Sequence, residues 1–292
     1  MHFPITGVTV NPLFLILMGF VIGVLGGFFG VGGGFLAGPM MFMLGVPMNF
    51  VVGTDLTHIA GKSVVAMRRH WTLGHVDVRL GVLMILGTVP GVEFGAQIIE
   101  KLKHAYAVDQ VVGGVYVLLL LAIGVFMAWE GRQAVRREHA PADRPARGRR
   151  LLRAARAVRL PPLIRLPTSG IESISVWTIL IVGFVVGLLA GMLGVGGGFL
   201  RMPALIYLVG VPTHVAIGTD LFEIVFSAGY GTVTHALKGN VDIMMALVMH
   251  TGAAIGAQFG ALSTVHFSGP KIRLAFSLLP FAGAFLVLSK LI

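Results

Sequence analysis

The chain has 292 residues, of which 56% are hydrophobic and 12% are charged, and its mean hydropathy is +0.90. A soluble domain is about one quarter charged, whereas the long apolar runs here cover several times the roughly 20 residues that cross a bilayer. These values exclude an ordinary soluble protein and predict an all-α polytopic membrane protein. The absence of cysteine excludes disulfides, thiolate catalysis and thiolate metal sites.

The net charge of +10 is concentrated in one stretch of the chain. Eleven of the 22 basic residues are arginines between Arg132 and Arg165. No aromatic residue interleaves with them, as a single-strand nucleic-acid surface would require, so nucleic acid is not a predicted partner. The positive-inside rule instead predicts that 130–172 is a cytoplasmic, arginine-rich linker. Contact of a short basic helix with anionic lipid is the alternative role for this stretch.

Apolar segments divide the chain into two sets of five. They are predicted at about 12–29, 34–46, 49–67, 80–99 and 107–129, and then at about 174–193, 198–211, 214–235, 243–264 and 272–292. The first segment lacks the basic region and cleavage site of a signal peptide, so we expect it to remain as a membrane segment. The predicted organisation is a first membrane repeat (1–129), the linker (130–172) and a second membrane repeat (173–292).

One glycine-rich motif occurs twice. Gly-Val-Gly-Gly-Gly-Phe-Leu stands at Gly30–Leu36 and at Gly194–Leu200, and a proline follows each triple glycine after five residues. The match continues through a Gly-Val-Pro and a Gly-Thr-Asp-Leu stretch, with an offset of 164 residues before Gly-Val-Pro and 165 after it. An internal duplication explains this agreement. Five segments per half would make two inverted repeats, as in many secondary transporters, and fewer full spans with re-entrant segments are the alternative.

The orientation follows from the charges. With the linker in the cytoplasm, Arg68, Arg69 and Arg79 lie on the cytoplasmic side, while the N-terminus, which carries no lysine or arginine, lies outside. The expected partners are the lipid bilayer and a small anion, and formation of a homo-oligomer is left open.

The glycine motifs are candidates for an anion site. Glycine and proline break helices, and a break within lipid is tolerated where buried protein or a wet cavity satisfies the backbone. The N–H groups and dipole end of a broken helix attract anions. Close helix packing against glycine is the alternative. The predicted substrate-binding glycines are Gly30, Gly32, Gly33, Gly34, Gly194, Gly196, Gly197 and Gly198.

A Thr-Asp pair follows each Gly-Val-Pro turn. In one interpretation Thr54-Asp55 and Thr219-Asp220 cap the helices that they open. In the other, the hydroxyls of Thr54 and Thr219 bind substrate while Asp55 and Asp220 bind or relay a proton, because ionisable groups at membrane depth are costly. The two interpretations are compatible.

The two halves differ in the turns after these aspartates. The first half carries His58 and Lys62, which are four residues apart and share a helix face. The second half carries Glu223 and Ser227 at the matching positions. Lys62 is predicted to bind the anion, and His58 and Glu223 join the candidates for proton coupling. A buried ion pair, or a lysine that reaches the interface, is the alternative.

Other polar residues carry weaker predictions. Arg201 is the second cation near a glycine motif, and we expect it to reach the lipid headgroups. His70 and His235 are matched near helix ends and are expected to be solvated. No histidine–carboxylate set has the spacing of metal ligands, and no serine–histidine–aspartate order stands out. No metal, cofactor or enzymatic activity is therefore predicted.

The duplicated glycine motif, the following proline and the Gly-Thr-Asp-Leu stretch resemble the TauE/SafE family, also called the sulfite exporter or TSUP family. The resemblance covers about 12–129 and 174–292 and leaves out the linker. It implies a multi-pass permease of the bacterial inner membrane for sulfur-containing anions such as sulfite and sulfonates, without deciding the substrate or the direction.

The predicted function is thus a secondary transporter that moves a small sulfur-containing anion across the inner membrane and is coupled to protons. An anion channel that uses the same glycine-lined site is one alternative. A permease for a carboxylate is the other.

Overall fold

A computed structural model describes residues 1–104, 108–138, 160–194 and 196–291. The central part of the predicted linker, 139–159, lies outside the described residues, as does Val195 of the second glycine motif.

The described chain is mostly helical. In the first half, strands β1 (His2–Phe3) and β2 (Val8–Thr9) precede α1 (Pro12–Phe29), α2 (Gly34–Met43), α3 (Met48–Thr72), α4 (Val78–His104) and α5 (Val108–Glu138). In the second half, the antiparallel strands β3 (Leu163–Leu166) and β4 (Ile171–Ser175) precede α6 (Val176–Leu193), α7 (Gly198–Ala204), a π-helix (Leu205–Val209), α8 (Thr213–Leu237), α9 (Ile243–Ser263), a 3-10 turn (Thr264–His266), α10 (Gly269–Phe276) and α11 (Leu278–Leu291).

Six helical segments of the described chain are long and apolar enough to cross a membrane. They are Pro12–Phe29, Val78–Lys103, Gln110–Gln133, Val176–Leu193, Ile243–His266 and Lys271–Ser289. The prediction of a multi-pass, helical membrane protein is therefore confirmed. One boundary differs from the prediction, because α5 continues to Glu138 instead of ending near 129.

The helices that follow the glycine motifs are short. At 1.5 Å per residue, the 10 residues of α2 extend about 15 Å, half of the roughly 30 Å hydrocarbon core. The 7 residues of α7 continue only through the π-helix. Neither segment is among those long enough to cross, which favours the predicted alternative of fewer full spans over five full spans in each half.

Glycine stripes bring two pairs of helices into backbone contact, α1 with α9 and α4 with α6. Glycines four residues apart share one helix face, and here they line up on each partner: Gly19, Gly23 and Gly27 on α1, Gly252, Gly256 and Gly260 on α9, Gly87, Gly91 and Gly95 on α4, and Gly183, Gly187 and Gly191 on α6. A Cβ placed on any α1 or α9 member would lie 2.0–2.3 Å from a carbonyl oxygen of the partner helix. Small residues of this kind allow close packing in membranes.

Helices α3 and α8 have 25 residues each and pack against one another at the centre. They are antiparallel, because the end of each lies at the start of the other. The rings of His75, just after α3, and His214, at the start of α8, are 5.4 Å apart between centroids. At the opposite end, Asn49 Nδ2 donates a hydrogen bond to Asn240 Oδ1 over 3.1 Å. This central pair carries the predicted Asp, His, Lys and Glu side chains.

Candidate functional site

Each glycine motif forms a loop between two helices. Residues 30–33 lie between α1 and α2, and the second motif lies between the end of α6 at Leu193 and the start of α7 at Gly198. Gly33 and Gly197 each precede the short helix with a φ of 75°, a left-handed conformation that residues with a side chain rarely adopt. The residue before the short helix therefore has the same backbone conformation in both halves.

The two loops approach one another between α3 and α8. A Cβ on Gly32 would lie 2.9 Å from Cγ2 of Ile59, and one on Gly196 would lie 3.0 Å from the same atom. Ile224, which occupies the matching position on α8, contacts both glycines as well. The loops of the two halves therefore meet on the same two side chains, and the polar residues of α3 and α8 surround this point.

Lys62 lies at the first loop. Its side chain is only 2% exposed, and a Cβ on Gly33 would lie 2.9 Å from its Nζ. Within the described chain Nζ has no hydrogen-bond partner, although Asp55, two turns earlier in α3, attracts it electrostatically. Asp55 Oδ1 lies 3.5 Å from Nδ1 of His58. The first half therefore presents a buried cation at the glycine loop, with a carboxylate and an imidazole behind it.

Arg201 lies at the second loop. It is fully buried, its Nη1 donates to Asp220 Oδ1 over 2.7 Å, and the same nitrogen contacts Glu223 Oε2. Ser227 Oγ also donates to Glu223 Oε2, over 3.1 Å. A Cβ on Gly197 would lie 3.0 Å from Arg201 Nη2. The expectation that Arg201 reaches the headgroups was therefore wrong, because its guanidinium is held inside by two carboxylates.

Both halves thus supply a cation to this site. The two cations come from unmatched positions. Arg201 aligns with Ala37 and lies on α7, whereas Lys62 aligns with Ser227 and lies on α3. Alignment of the two halves therefore could not identify Arg201. The remaining signal, an arginine three residues after a triple glycine in an apolar segment, was present in the sequence.

The two threonines do not cap their own helices, because they lie about two turns inside α3 and α8. The N-capping interpretation was therefore wrong. Each hydroxyl accepts a hydrogen bond from the other half instead. The N–H of Asp242 donates to Thr54 Oγ1 over 2.9 Å, and the N–H of Asp77 donates to Thr219 Oγ1 over 2.9 Å. The threonines thus join the halves directly beside the two site aspartates.

Two of the predicted glycine donors are used within helices. The N–H of Gly30 donates to Gly26 O over 2.9 Å, and the N–H of Gly194 donates to Ala190 O over 2.8 Å. Gly30 and Gly194 are the C-terminal caps of α1 and α6. The N–H groups of Leu36 and Leu200 donate to Gly33 O and Gly197 O over 3.2 and 3.1 Å. The N–H groups of Gly34 and Gly198, at the first positions of α2 and α7, are therefore the better candidates among the glycine motifs.

His70 and His235 are fully buried, so the expectation of solvated histidines was wrong. Their Nε2 atoms lie 3.3 Å from Gly27 O and 2.9 Å from Gly191 O, respectively. Both acceptors belong to the glycine stripes, where the missing side chain leaves the carbonyl accessible. These histidines connect α3 and α8 to the neighbouring helix pairs.

The central site therefore combines cations with an excess of carboxylates at negligible exposure. Its ionisable members are Asp55, His58, Lys62, Arg201, Asp220 and Glu223. Such a set can attract an anion to its cations and hold a proton on its carboxylates. In the part of the chain that the structure describes, no group of three or more His, Asp or Glu side chains is arranged to hold a metal ion.

Ionisable side chains that converge at the buried centre of a polytopic helical protein are typical of membrane transporters. The comparison with protein families is specific: the model described as "Sulfite exporter TauE/SafE" matches residues 15–287, so the chain belongs to this family. The resemblance inferred from the glycine motifs is confirmed.

Curated relatives support the same class. The probable membrane transporter protein YjnA of Bacillus subtilis (strain 168) is 29% identical over 268 residues, which cover 87% of this chain and 91% of the relative. The corresponding YunE protein of the same strain is 27% identical, with 85% and 86% covered. The probable membrane transporter protein MJ0441 of Methanocaldococcus jannaschii is 23% identical, with 94% of each covered. No solved structure matches the chain. Relatives of this kind favour a permease over an enzyme.

Proposed function

We propose that this protein is a secondary transporter that moves a small sulfur-containing anion, such as sulfite or a sulfonate, across the bacterial inner membrane together with protons. The observation that carries the proposal is the pair of buried cations, Lys62 and Arg201, each beside a glycine loop. A buried charge is costly unless it is paired or has a functional partner. Lys62 has an electrostatic partner but no hydrogen-bonded one among the described residues, which suits an exchangeable anion.

The two halves act as inverted repeats with helix breaks at the glycine motifs. Supporting this, α3 and α8 are antiparallel and exchange matched hydrogen bonds, one from Asp242 to Thr54 and one from Asp77 to Thr219. Each threonine hydroxyl accepts from a backbone N–H and keeps its own hydrogen, which can be donated to the substrate. A pseudo-twofold site between such repeats is suited to alternating access.

The two sides of the site have different roles. Lys62 holds the anion, and the Arg201–Asp220–Glu223 trio holds the proton. Arg201 supplies one positive charge to two buried carboxylates, and two neighbouring carboxylates away from water do not both ionise readily. One shared proton makes the trio neutral and frees part of the guanidinium to attract the anion. Proton binding and anion binding therefore strengthen each other.

A ligand screen tests the substrate class. Purified protein in detergent is heated with sulfite, thiosulfate, small sulfonates and plain carboxylates at equal concentration and ionic strength. A ligand that binds only the folded state raises the unfolding temperature. We expect stabilisation by the sulfur-containing anions. Stabilisation by carboxylates alone would instead support the carboxylate permease.

Counterflow separates a carrier from a channel. The low exposure of Lys62 (2%) and Arg201 (0%) supports a site closed to both sides, as in the occluded state of a carrier. A carrier accelerates uptake of labelled anion when unlabelled anion is present on the far side. If preloading the vesicles leaves the rate unchanged while anion flux persists, the protein is an anion channel.

A further inference from the structure

The two ends of the α3–α8 pair carry equivalent contacts made by different side chains. At one end Asn49 donates to Asn240 over 3.1 Å. The offset of 165 residues places His214 and His75 at the same positions on the other end, where their rings are 5.4 Å apart between centroids. One end is therefore joined by amides, which do not titrate. The other is joined by histidines, a residue type that can take up a proton.

The loops that carry Asn240 and His75 both pack closely beside the central site. A Cβ on Gly53 would lie 2.2 Å from Asn240 O, and a Cβ on Gly218 would lie 2.3 Å from His75 O. Each glycine stands just before a Thr-Asp pair of the site. The loop around 240 thus covers the site from one side of the molecule, and the loop around 75 covers it from the other.

We propose that these two contacts are the gates of the transport pathway, and that the His75–His214 gate opens when His75 is protonated. The assignment rests on the proposed carrier function, because it divides alternating access between two loops. Positive charge on His75 and on His214 repels at this separation, so acid weakens this contact alone. The gate lies on the face of Arg68 and Arg69, which is predicted to be cytoplasmic.

The cations close to His75 along the chain are Arg69 and Arg79. His70 and His75 share a hydrogen bond between their Nδ1 atoms over 3.3 Å, and Arg69 adds positive potential beside this pair. Arg79 also lines a groove between α4 and β3, together with Arg165.

The one nearby carboxylate among these described groups, Asp77, is already occupied. Its Oδ2 accepts bonds from Ser169 Oγ over 2.6 Å and from the Ser169 N–H over 3.2 Å, and its Oδ1 accepts from the Leu80 N–H. A proton added to His75 therefore finds no uncommitted counterion in this set of groups.

Burial lowers the pKa of His75 from its ordinary value of 6.5, and the charge of His214 lowers it further. A lowered histidine pKa means that the closed contact favours the neutral ring. The closed gate is therefore fully stabilised above pH 6.5 and loses that stabilisation as the pH falls below this value.

The opposite gate has a fixed charge instead. Lys103 Nζ donates to Asn240 Oδ1 and to Lys238 O, over 3.3 Å in each case. The two amides of this contact do not titrate. Acid should therefore open one face and leave the other closed.

Cysteine accessibility tests this directly, because the chain contains no cysteine. Ser63→Cys places one thiol at a fully buried position next to Lys62. Inside-out and right-side-out vesicles are treated with an uncharged, membrane-impermeant maleimide at pH 7.5 and 5.5. The matched control is Ser63→Cys with His75→Asn and His214→Asn, which copies the amide gate and corrects for the pH dependence of the thiol.

We expect acid to raise labelling from the Arg68 and Arg69 face by about tenfold relative to the control. This factor is smaller than the Coulomb repulsion of two like charges at this distance would allow near a protein surface. Labelling from the other face should not change. Equal pH dependence in both proteins, or acid opening on the opposite face, would overturn the proposal.

A converse variant keeps the test decisive if the histidine replacements fold poorly. Asn49→His with Asn240→His transplants the histidine pair to the other gate, and acid should then increase labelling from that face as well. No gain there would contradict the proposal. Labelling reports access and counterflow reports flux, so failure of the gate proposal and failure of the carrier proposal are distinguished by which measurement fails.

Discussion

Val31 and Gly198 lie in backbone contact, so that a Cβ on Gly198 would be only 2.6 Å from Val31 Cα. The two residues belong to different copies of the glycine motif, one in each half of the chain. The motifs therefore form one structural unit at the centre of the molecule, where the buried cations of both halves are also found.

Gly198→Ala is expected to lower the free energy of unfolding by about 1–3 kcal/mol, the usual effect of overpacking a close contact. The methyl group would meet backbone atoms, which cannot rotate away. Thermal unfolding in detergent measures the effect. Gly229→Ala is the matched control, because it lies in α8 with nothing within 4 Å of the added Cβ. If both variants unfold at the wild-type temperature, the motifs are not in contact.

Arg201→Met is expected to destabilise the protein by about 3–5 kcal/mol, because it leaves Asp220 and Glu223 buried without their cation. Adding Glu223→Gln to this variant should recover part of the loss by removing one of the two charges. The unfolding temperatures of the single and double variants test both statements. Arg165→Met, at a position on β3 outside the central site, serves as control. A single variant as stable as the wild type would mean that the trio is not formed.

Thr219→Val is expected to cost about 1–3 kcal/mol, because the buried N–H of Asp77 loses its acceptor. Thr54→Val should have a similar effect through Asp242, since the two bonds have the same length of 2.9 Å. Thr251→Val removes an exposed hydroxyl that bonds within its own helix and should change little. Equal stability of all three variants would show that these bonds do not join the halves.

Glu223→Gln is expected to separate anion flux from proton flux. The amide keeps a hydrogen-bonding oxygen for Arg201 but can no longer share a proton with Asp220. In vesicles containing a pH-sensitive dye, wild-type anion uptake should carry protons inward, whereas the variant should move anion with little change in internal pH. Glu172→Gln, at an exposed position on β4, controls for the loss of a carboxylate. Unchanged proton movement in Glu223→Gln would assign the proton elsewhere.

The duplication in the sequence was sufficient to predict which residues occupy equivalent places. Thr54 and Thr219 make equivalent bonds, as do His70 and His235. Composition was sufficient to predict a helical membrane protein, because runs of apolar residues long enough to cross a bilayer are visible in the local sequence. The partners of these residues were not predictable, because a buried acceptor such as the Gly27 carbonyl is created only when two distant helices pack.

Arg201 shows the limit of reasoning from a repeat. Its aligned partner is Ala37, so symmetry gave it no role, and its direction depends on how α7 turns after the glycine loop. The acidic side chains that hold it come from α8, about 20 residues further along the chain. The sequence contains all three residues, but only the folded chain brings the guanidinium to the carboxylates.

The proposed transport depends most directly on binding of the anion by Lys62. The direct measurement is counterflow of radiolabelled sulfite into proteoliposomes preloaded with unlabelled sulfite, for the wild type, Lys62→Gln and the control Lys271→Gln, an exposed lysine on α10. We expect accelerated uptake by the wild type and the control, and uptake at the protein-free level for a folded Lys62→Gln. Wild-type counterflow in Lys62→Gln would contradict this role of Lys62.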